Sequence, residues 1–176
     1  MKQLLNISGL AIAFMITFSS CGGNAEKEST TTQSAETSTL EAEPVKPDES
    51  KLSNVLALEG NDQMQYNQTE FKVAAGQTIT LTLKHTGKLE KNAMGHNFVL
   101  LKPGTDVNTF AQKALGAKDN DYIPKSESAS IIAHTKLLGG GESDTITFTV
   151  IEKGTYDFIC SFPGHVSMMK GKLIAE

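Results

Sequence analysis

Strict alternation of apolar and polar residues predicts the main strands of this chain. Residues 78–83 and 145–150 each place Thr on one side and Ile, Leu, Phe or Val on the other. A period of two is typical of a strand with one buried face. The apolar run at 98–101 and the short segments 71–73 and 171–174 predict further strands. Several short strands separated by Gly and Asn indicate an all-β fold, built as a sandwich or a barrel.

One stretch departs from this period of two. Its apolar residues are spaced as one face of a helix, namely Val107, Phe110, Ala111, Ala114 and Leu115. Thr105, which precedes them, is a possible N-cap. We therefore predict one short helical insertion in the all-β chain.

A further predicted strand carries a cysteine. Tyr156, Phe158 and Cys160 share one parity, so we expect the thiol to point into the core with the two aromatic rings. Cys160 then opens a loop that also contains His165 and Met169. A thiolate, an imidazole and a thioether in one loop indicate a metal site. The Cys and His alone are also compatible with a buried free thiol and a surface His.

A second imidazole is expected from His96, at the start of the predicted strand 98–101. The ligand set is then His96, Cys160, His165 and Met169. Two His and one Cys with a weak axial Met form the blue-copper geometry, so this set favours one copper ion that alternates between Cu(I) and Cu(II). Zinc is the rival metal, but it prefers four strong donors, and a Met ligand counts against a structural zinc site.

Segments of the chain resemble the azurins, a family of cupredoxins, and they occur in the same order. These segments are residues 60–67, 91–97, 132–137 and 162–165, and the resemblance extends over roughly residues 54–176. It implies a cupredoxin Greek-key β-sandwich or barrel with a helical insertion and a type 1 copper ion. Asn54 and Gly76 occupy the positions of the azurin disulfide, so that cross-link is missing here.

The resemblance also implies roles for residues around the copper ligands. The carbonyl oxygen of Gly95 would be a weak axial donor. Asn97 would tie the strand carrying His96 to the loop carrying Cys160, through contacts that include Ser161. Phe162 would exclude water from the site. His85 would lie near the metal without binding it, and His134 would lie on the surface.

An apolar docking patch around His165 is implied in the same way. In this chain its members are Met64, Leu89, Met94, Pro163 and Val166, beside Phe162. An exposed apolar patch often marks a docking site. The partners implied by the resemblance are c-type cytochromes and a terminal reductase or peroxidase.

Charge excludes one class of partner. All 16 basic residues of the chain are Lys, and residues 51–176 carry 13 Lys and 13 acidic residues. A formally neutral domain without Arg or a basic run does not favour binding to nucleic acid.

The first 50 residues are predicted to be a secretory signal followed by a tether. Residues 1–20 combine a basic start with a short apolar run, as in a secretory signal. The sequence before Cys21 resembles a bacterial lipobox, in which the Cys becomes the lipid anchor. The alternative is ordinary cleavage nearby, which leaves Cys21 as a loose thiol. Residues 21–50 are rich in Ser, Thr, Glu and Pro, which predicts a disordered acidic tether.

The sequence thus predicts a cupredoxin domain at residues 51–176, held in the periplasm by a lipid on a bacterial membrane. Its expected function is to carry single electrons between respiratory redox proteins. The alternative is copper storage or delivery, or a role as an accessory subunit of a copper oxidoreductase. An enzyme is not expected, because only His85 and His134 remain after the ligands are assigned, too few for a second copper site with three His.

Overall fold

The structure is a computed structural model that describes residues 52–176. The predicted signal (1–20), the tether (21–50) and the lipid-bearing Cys21 therefore lie outside the described residues. Within the described range, no helix has the length and apolar character needed to cross a membrane.

Residues 52–176 contain eight strands, which form two sheets. The strands are β1 Val55–Gly60, β2 Glu70–Val73, β3 Thr78–His85, β4 Val99–Leu101, β5 Ile131–His134, β6 Ser143–Thr149, β7 Gly154–Ile159 and β8 Lys170–Ala175. The first sheet has the order β1-β3-β6 and the second the order β2-β8-β7-β4-β5. β1 runs parallel to β3 and β2 parallel to β8, whereas the other pairs are antiparallel.

The two strongly alternating stretches pair with each other in the first sheet, as β3 and β6. Their Thr residues lie opposite one another, with Thr80 beside Thr147 and Thr82 beside Thr145. Ile79, Leu81 and Leu83, on the opposite face, are fully buried. The predicted all-β fold is confirmed, and the two-sheet arrangement is a sandwich.

Two apolar clusters bury both faces of the second sheet. The larger cluster lies between the sheets and includes Leu81 from the first sheet and Phe158 from the second. The smaller cluster lies on the other side, where Phe110 of the helical insertion packs with Val99 and Ile159. This explains why all three residues of β4 are buried and why its sequence is continuously apolar.

The helical insertion is present, but its ends differ from the prediction. Helix α2 spans Val107–Ala114, after a shorter helix α1 at Lys91–Met94 that the sequence did not predict. The N-cap is Asp106 rather than Thr105, because the Asp106 carboxylate accepts the N–H of Thr109 at 2.6 Å. Leu115 follows the last helical residue and is 55% exposed, so its assignment to the buried face was wrong.

Hydrogen bonds occupy the place of the missing disulfide. The side-chain oxygen of Asn54 accepts the N–H of Ala74 at 2.9 Å, and its main-chain oxygen accepts the N–H of Thr80 at 2.8 Å. Gly76 donates its N–H to the carbonyl of Val150 at 2.7 Å. The Asn54 contacts connect the start of β1 to β3 and to the turn before it, and the Gly76 contact connects that turn to the residue after β6.

Candidate metal centre

The strand order brings the predicted ligands to one end of the sandwich. Gly60 at the end of β1 pairs with His85 at the end of β3. In the second sheet, Ile159 at the end of β7 pairs with Val99 in β4 and with Lys170 at the start of β8. Cys160 directly follows Ile159, Met169 directly precedes Lys170, and His96 lies three residues before Val99, so the three segments that carry the donors converge.

Three donor side chains meet at this end. His96, Cys160 and His165 each offer one ligand atom, and these atoms all lie within 4.8 Å of one another. The Sγ of Cys160 is 3.6 Å from Nδ1 of His165. His96 and Cys160 are fully buried and His165 is 2% exposed. The arrangement is therefore a closed site for a small ion, shielded from solvent.

The orientation of His96 leaves one nitrogen for a metal. Its Nε2 lies 2.8 Å from the main-chain oxygen of Asn61, and its ring stacks on that of His85 with centroids 4.3 Å apart. Within residues 52–176, Nδ1 of His96 is the only buried side-chain nitrogen or oxygen without a hydrogen-bond partner. Buried polar atoms are normally paired, so this orphaned nitrogen next to a thiol and a second imidazole fits a metal ion.

Met169 is placed beside the donors, and Met168 is not. Met169 is fully buried, whereas Met168 is 52% exposed. A Cβ on Gly60 would lie 2.7 Å from Cδ2 of His96 and 3.3 Å from the methyl carbon of Met169. Only glycine at position 60 lets the chain approach these two side chains so closely.

The Gly95 carbonyl also faces the site, 3.9 Å from the Cys160 sulfur. A Cβ at Gly95 would lie 2.5 Å from the main-chain oxygen of Lys91 and 2.9 Å from the Leu137 side chain. The chain therefore passes between α1 and the segment after β5 only because this residue has no side chain.

The Asn97 side chain joins the two ligand-bearing segments. Its Oδ1 accepts the main-chain N–H of Ser161 at 2.8 Å, and its Nδ2 donates to the Ser161 hydroxyl at 2.8 Å. Asn97 and Ser161 are 64 positions apart, and both are buried. Each residue directly follows a metal-site residue, so this link fixes His96 and Cys160 relative to each other.

Burial controls the protonation of the donors. It raises the pKa of the Cys160 thiol to about 11. The main-chain N–H groups of Asn97 and Phe162 lower this pKa, but burial outweighs them. Burial, together with the imidazoles of His96 and His85, lowers the pKa of His165 to about 4. Burial also lowers the pKa of His96. Both imidazoles are therefore neutral at neutral pH, ready to donate a lone pair.

The two remaining histidines lie in different surroundings. His85 is fully buried, with its Nε2 2.8 Å from the Met94 carbonyl and its Nδ1 accepting the N–H of Gly87 at 3.0 Å. Both of its ring nitrogens are thus used, and neither is free for a metal. His134, at the end of β5, is exposed.

Three positions around the site had no assigned role at the sequence level. The Tyr66 hydroxyl donates to the Asn97 carbonyl at 2.5 Å. The Asp62 carboxylate accepts the N–H groups of Lys88 and Leu89 and thereby holds the loop after β3. The carbonyl of Asp121 accepts the Asn97 side chain at 2.9 Å. Tyr66 and Asp62 lie within segment 60–67, and the resemblance of this segment to azurin was the only indication that they contribute to the site. Nothing in the sequence indicated a role for Asp121.

The residues of the predicted docking patch are at least partly exposed. Leu89 is 44% exposed, and the other four are intermediate in exposure, namely Met64, Met94, Pro163 and Val166. Phe162 is 8% exposed, and its ring lies 4.6 Å from that of His165. His165 itself is 2% exposed.

The sandwich and its buried His-Cys-His donor set define a cupredoxin with a type 1 copper site. A model of copper-binding proteins of the plastocyanin/azurin family matches residues 53–176. Azurin-1 of Alcaligenes xylosoxydans xylosoxydans is 44% identical over 118 residues, which is 65% of this chain and 91% of that protein. This chain belongs to the plastocyanin/azurin family, and its cofactor is copper.

Two further proteins are similar to this chain. The outer membrane protein H.8 of Neisseria gonorrhoeae is 43% identical over 119 residues, or 66% of this chain and 64% of that protein. The crystal structure of dithionite-reduced auracyanin from Roseiflexus castenholzii is similar to this structure, with a TM-score of 0.65. The two sequences are 37% identical, and the match covers 72% of this chain and 99% of that chain. The predicted azurin resemblance and cupredoxin fold are thereby confirmed.

The residues of the site have different roles. His96, Cys160 and His165 would hold the ion, with Met169 and the Gly95 carbonyl beside them. Asn97 and Ser161 keep the ligand segments in place, and Phe162 covers the site. When bound, copper supplies a one-electron couple between two valences, and a ligand frame fixed by the fold limits the rearrangement between them.

We expect Cys160→Ser to abolish an intense blue colour in the copper-loaded protein. The colour requires a thiolate bound to Cu(II), and a hydroxyl cannot supply that charge-transfer transition. Visible absorption of both proteins after Cu(II) addition measures this. Met168→Leu is the matched control, because Met168 is next to the ligand segment but exposed. A serine variant that kept the band would show that Cys160 is not the sulfur donor.

The stability of the metal-free domain should be greatest between about pH 6.5 and pH 9. The pKa of His165 falls from 6.5 to about 4 on folding, so the unfolded chain binds more protons there and stability is lost as the pH falls. The pKa of Cys160 rises from 9.0 to about 11, so the folded protein binds more protons there and stability is lost as the pH rises.

Urea unfolding as a function of pH tests this dependence. Cys160→Ala should weaken the loss above about pH 9, and His165→Gln the loss below about pH 6.5, because each removes one titrating group. If Cys160→Ala left the alkaline loss unchanged, the buried thiol would not be its cause.

Proposed function

We propose that this protein carries single electrons between respiratory redox proteins. The observation that supports this best is the buried donor set, in which Nδ1 of His96 lacks a partner while its ring is held by Asn61 and His85. A site whose ligands are oriented by the protein suits reversible exchange of an electron.

The apolar patch around His165 supports contact with a protein partner. The five predicted patch residues are apolar and at least partly exposed, and residues 51–176 are formally neutral. Contact of this kind forms by burial of apolar surface and has little long-range steering. The proposed partners are c-type cytochromes and a terminal reductase or peroxidase, and they dock with the electron passing through His165.

Copper storage or delivery is less well supported. That function requires release of the ion, whereas this donor set is buried and its segments are joined by the Asn97–Ser161 link. The metal site therefore favours retention of copper during repeated redox cycles.

We further propose that the carrier acts in the periplasm, held by a lipid on Cys21. The apolar leader before Cys21 and the acidic tether at residues 21–50 motivate this location. The relative named outer membrane protein H.8 makes the outer membrane the first candidate for the anchor. Two or more acyl chains are needed for stable anchoring.

Met94→Lys should slow electron self-exchange by at least about tenfold, which corresponds to about 1.4 kcal/mol in the barrier. A positive charge in the patch is desolvated and repels its copy in the facing molecule. The rate is measured by line broadening in mixtures of oxidised and reduced protein. The absorption spectrum should stay nearly unchanged, because Met94 is not a ligand.

Ile151→Lys is the matched control for this test. Ile151 is 80% exposed and follows β6 at the end of the sheet opposite His85. It should leave self-exchange unchanged. If Met94→Lys behaved like Ile151→Lys, electrons would leave by another face, and His134 with Lys136 would be the first region to test.

Cys21→Ser should abolish labelling of the protein with a radioactive fatty acid and its partition into detergent. The lipid requires the Cys21 thiol, and the buried Cys160 cannot replace it. Cys160→Ser is the matched control and should keep the label. Label retained in Cys21→Ser would rule out the proposed anchor.

A further inference from the structure

We propose that Asp121 and Tyr122 position the two main-chain N–H donors beside the Cys160 sulfur and thereby set the reduction potential of the copper. The two residues belong to the helical insertion, at the end of the 3-10 helix Lys118–Asn120. The inference rests on the proposed function as an electron carrier and assigns a tuning role to a segment that supplies no ligand.

Both residues have an unusual backbone conformation. Asp121 has φ 52° and Tyr122 has φ 59°, and the only other described non-glycine residue with positive φ is Met64. This left-handed region is unfavourable for residues with a Cβ, especially a bulky one such as Tyr. Two successive residues of this kind persist only where the surrounding contacts hold them.

The first contact of the pair is made by the main chain of Asp121. Its carbonyl accepts Nδ2 of Asn97 at 2.9 Å. Nδ2 thus has two acceptors, the Asp121 carbonyl and the Ser161 hydroxyl, which leaves Oδ1 free to accept the Ser161 N–H. The Asp121 carboxylate in turn accepts the N–H of Leu137 at 3.3 Å, which ties this turn to the segment after β5.

The second contact is made by the side chain of Tyr122. Its ring meets that of Phe162 edge-on, with centroids 5.1 Å apart and an angle of 69° between the planes. Phe162 in turn lies 4.6 Å from His165. Edge-on aromatic pairs have a preferred geometry, so Tyr122 fixes the ring of Phe162 and with it the position of its main chain.

The two contacts converge on the sulfur. Asn97 follows the ligand His96, and Phe162 lies two residues after Cys160; the main-chain N–H groups of these two residues lower the pKa of the Cys160 thiol, as donors directed at its sulfur would. Asp121 holds the first of these residues and Tyr122 the second. Hydrogen bonds to the Cys sulfur tune the potential of a type 1 site, because they withdraw electron density from the thiolate and favour Cu(I).

A purely structural role for Tyr122 makes a different prediction. Tyr122 is 8% exposed and belongs to the larger apolar cluster, so truncation lowers stability in either case. Only the positioning role requires the potential to change, and only that role requires the N–H groups of Asn97 and Phe162 to loosen. The test therefore uses both of these readouts.

Tyr122→Gly removes the ring and keeps the left-handed backbone accessible. We expect the ratio of Cu(I) to Cu(II) affinity to fall by about tenfold, a potential lower by about 59 mV for one electron. In the metal-free protein, amide hydrogen exchange of Phe162 should become at least about tenfold faster. Tyr122→Phe keeps the ring and should restore both values. Tyr122→Leu, which retains buried apolar volume, carries the same test if the glycine variant does not fold.

Asp121→Val and Asp121→Asn form a second matched pair. Val disfavours the left-handed conformation and should displace the carbonyl from Asn97, whereas Asn tolerates it. We expect Asp121→Val to lower the potential and to speed amide exchange at Asn97, and Asp121→Asn to change neither. Val73→Ala, in the fully buried β2 position, is the control for stability alone and should leave the potential unchanged.

A potential and amide exchange that stayed at their original values in both Tyr122→Gly and Asp121→Val would overturn the proposal. A potential lowered equally by Val73→Ala would also overturn it, because the effect would then follow stability alone. Hydrogen exchange in the metal-free protein does not depend on electron transfer, so failure of the positioning role is distinguishable from failure of the carrier function.

Discussion

The copper site depends on a constraint between two distant parts of the chain. Asn97 and Ser161 are 64 positions apart, and their paired hydrogen bonds hold the segments of His96 and Cys160 at a fixed separation in a buried environment. Because no water can replace these partners, breaking the link leaves unpaired polar groups and costs about 1–3 kcal/mol for each. The geometry offered to the metal is therefore a property of the fold, and the donors converge before any ion binds.

Burial determines the protonation state of the donors. The thiol of Cys160 has a raised pKa and the imidazoles have lowered ones, so the metal-free site is neutral around pH 7. The Cys160 thiol would release its proton to bind copper, and Nδ1 of His96 would gain in the ion the partner that it lacks. Metal binding is thus linked both to proton release and to the stability of the domain.

The sequence predicted the parts of this structure that have a local signature. Alternation identified β3 and β6, and parity placed Cys160 in the same cluster as Tyr156 and Phe158. The sequence of β4 was less informative, because a strand that is buried on both faces does not alternate between apolar and polar residues. The cap at Asp106 was missed because Thr105 and Asp106 are both good N-caps, and only the Thr109 N–H shows which one acts. Asp121 could not be predicted, because its contact uses a main-chain carbonyl, which every residue has.

In this protein the fold, rather than the metal, sets the ligand geometry. Crystal structures of the metal-free, Cu(I) and Cu(II) forms, supported by X-ray absorption of the two copper forms, can test this. We expect the donor atoms of His96, Cys160 and His165 to stay within about 0.5 Å of the same positions in all three. A metal-free structure in which Cys160 or His165 turns away, or a Cu(I) form that loses one of these ligands, would contradict it.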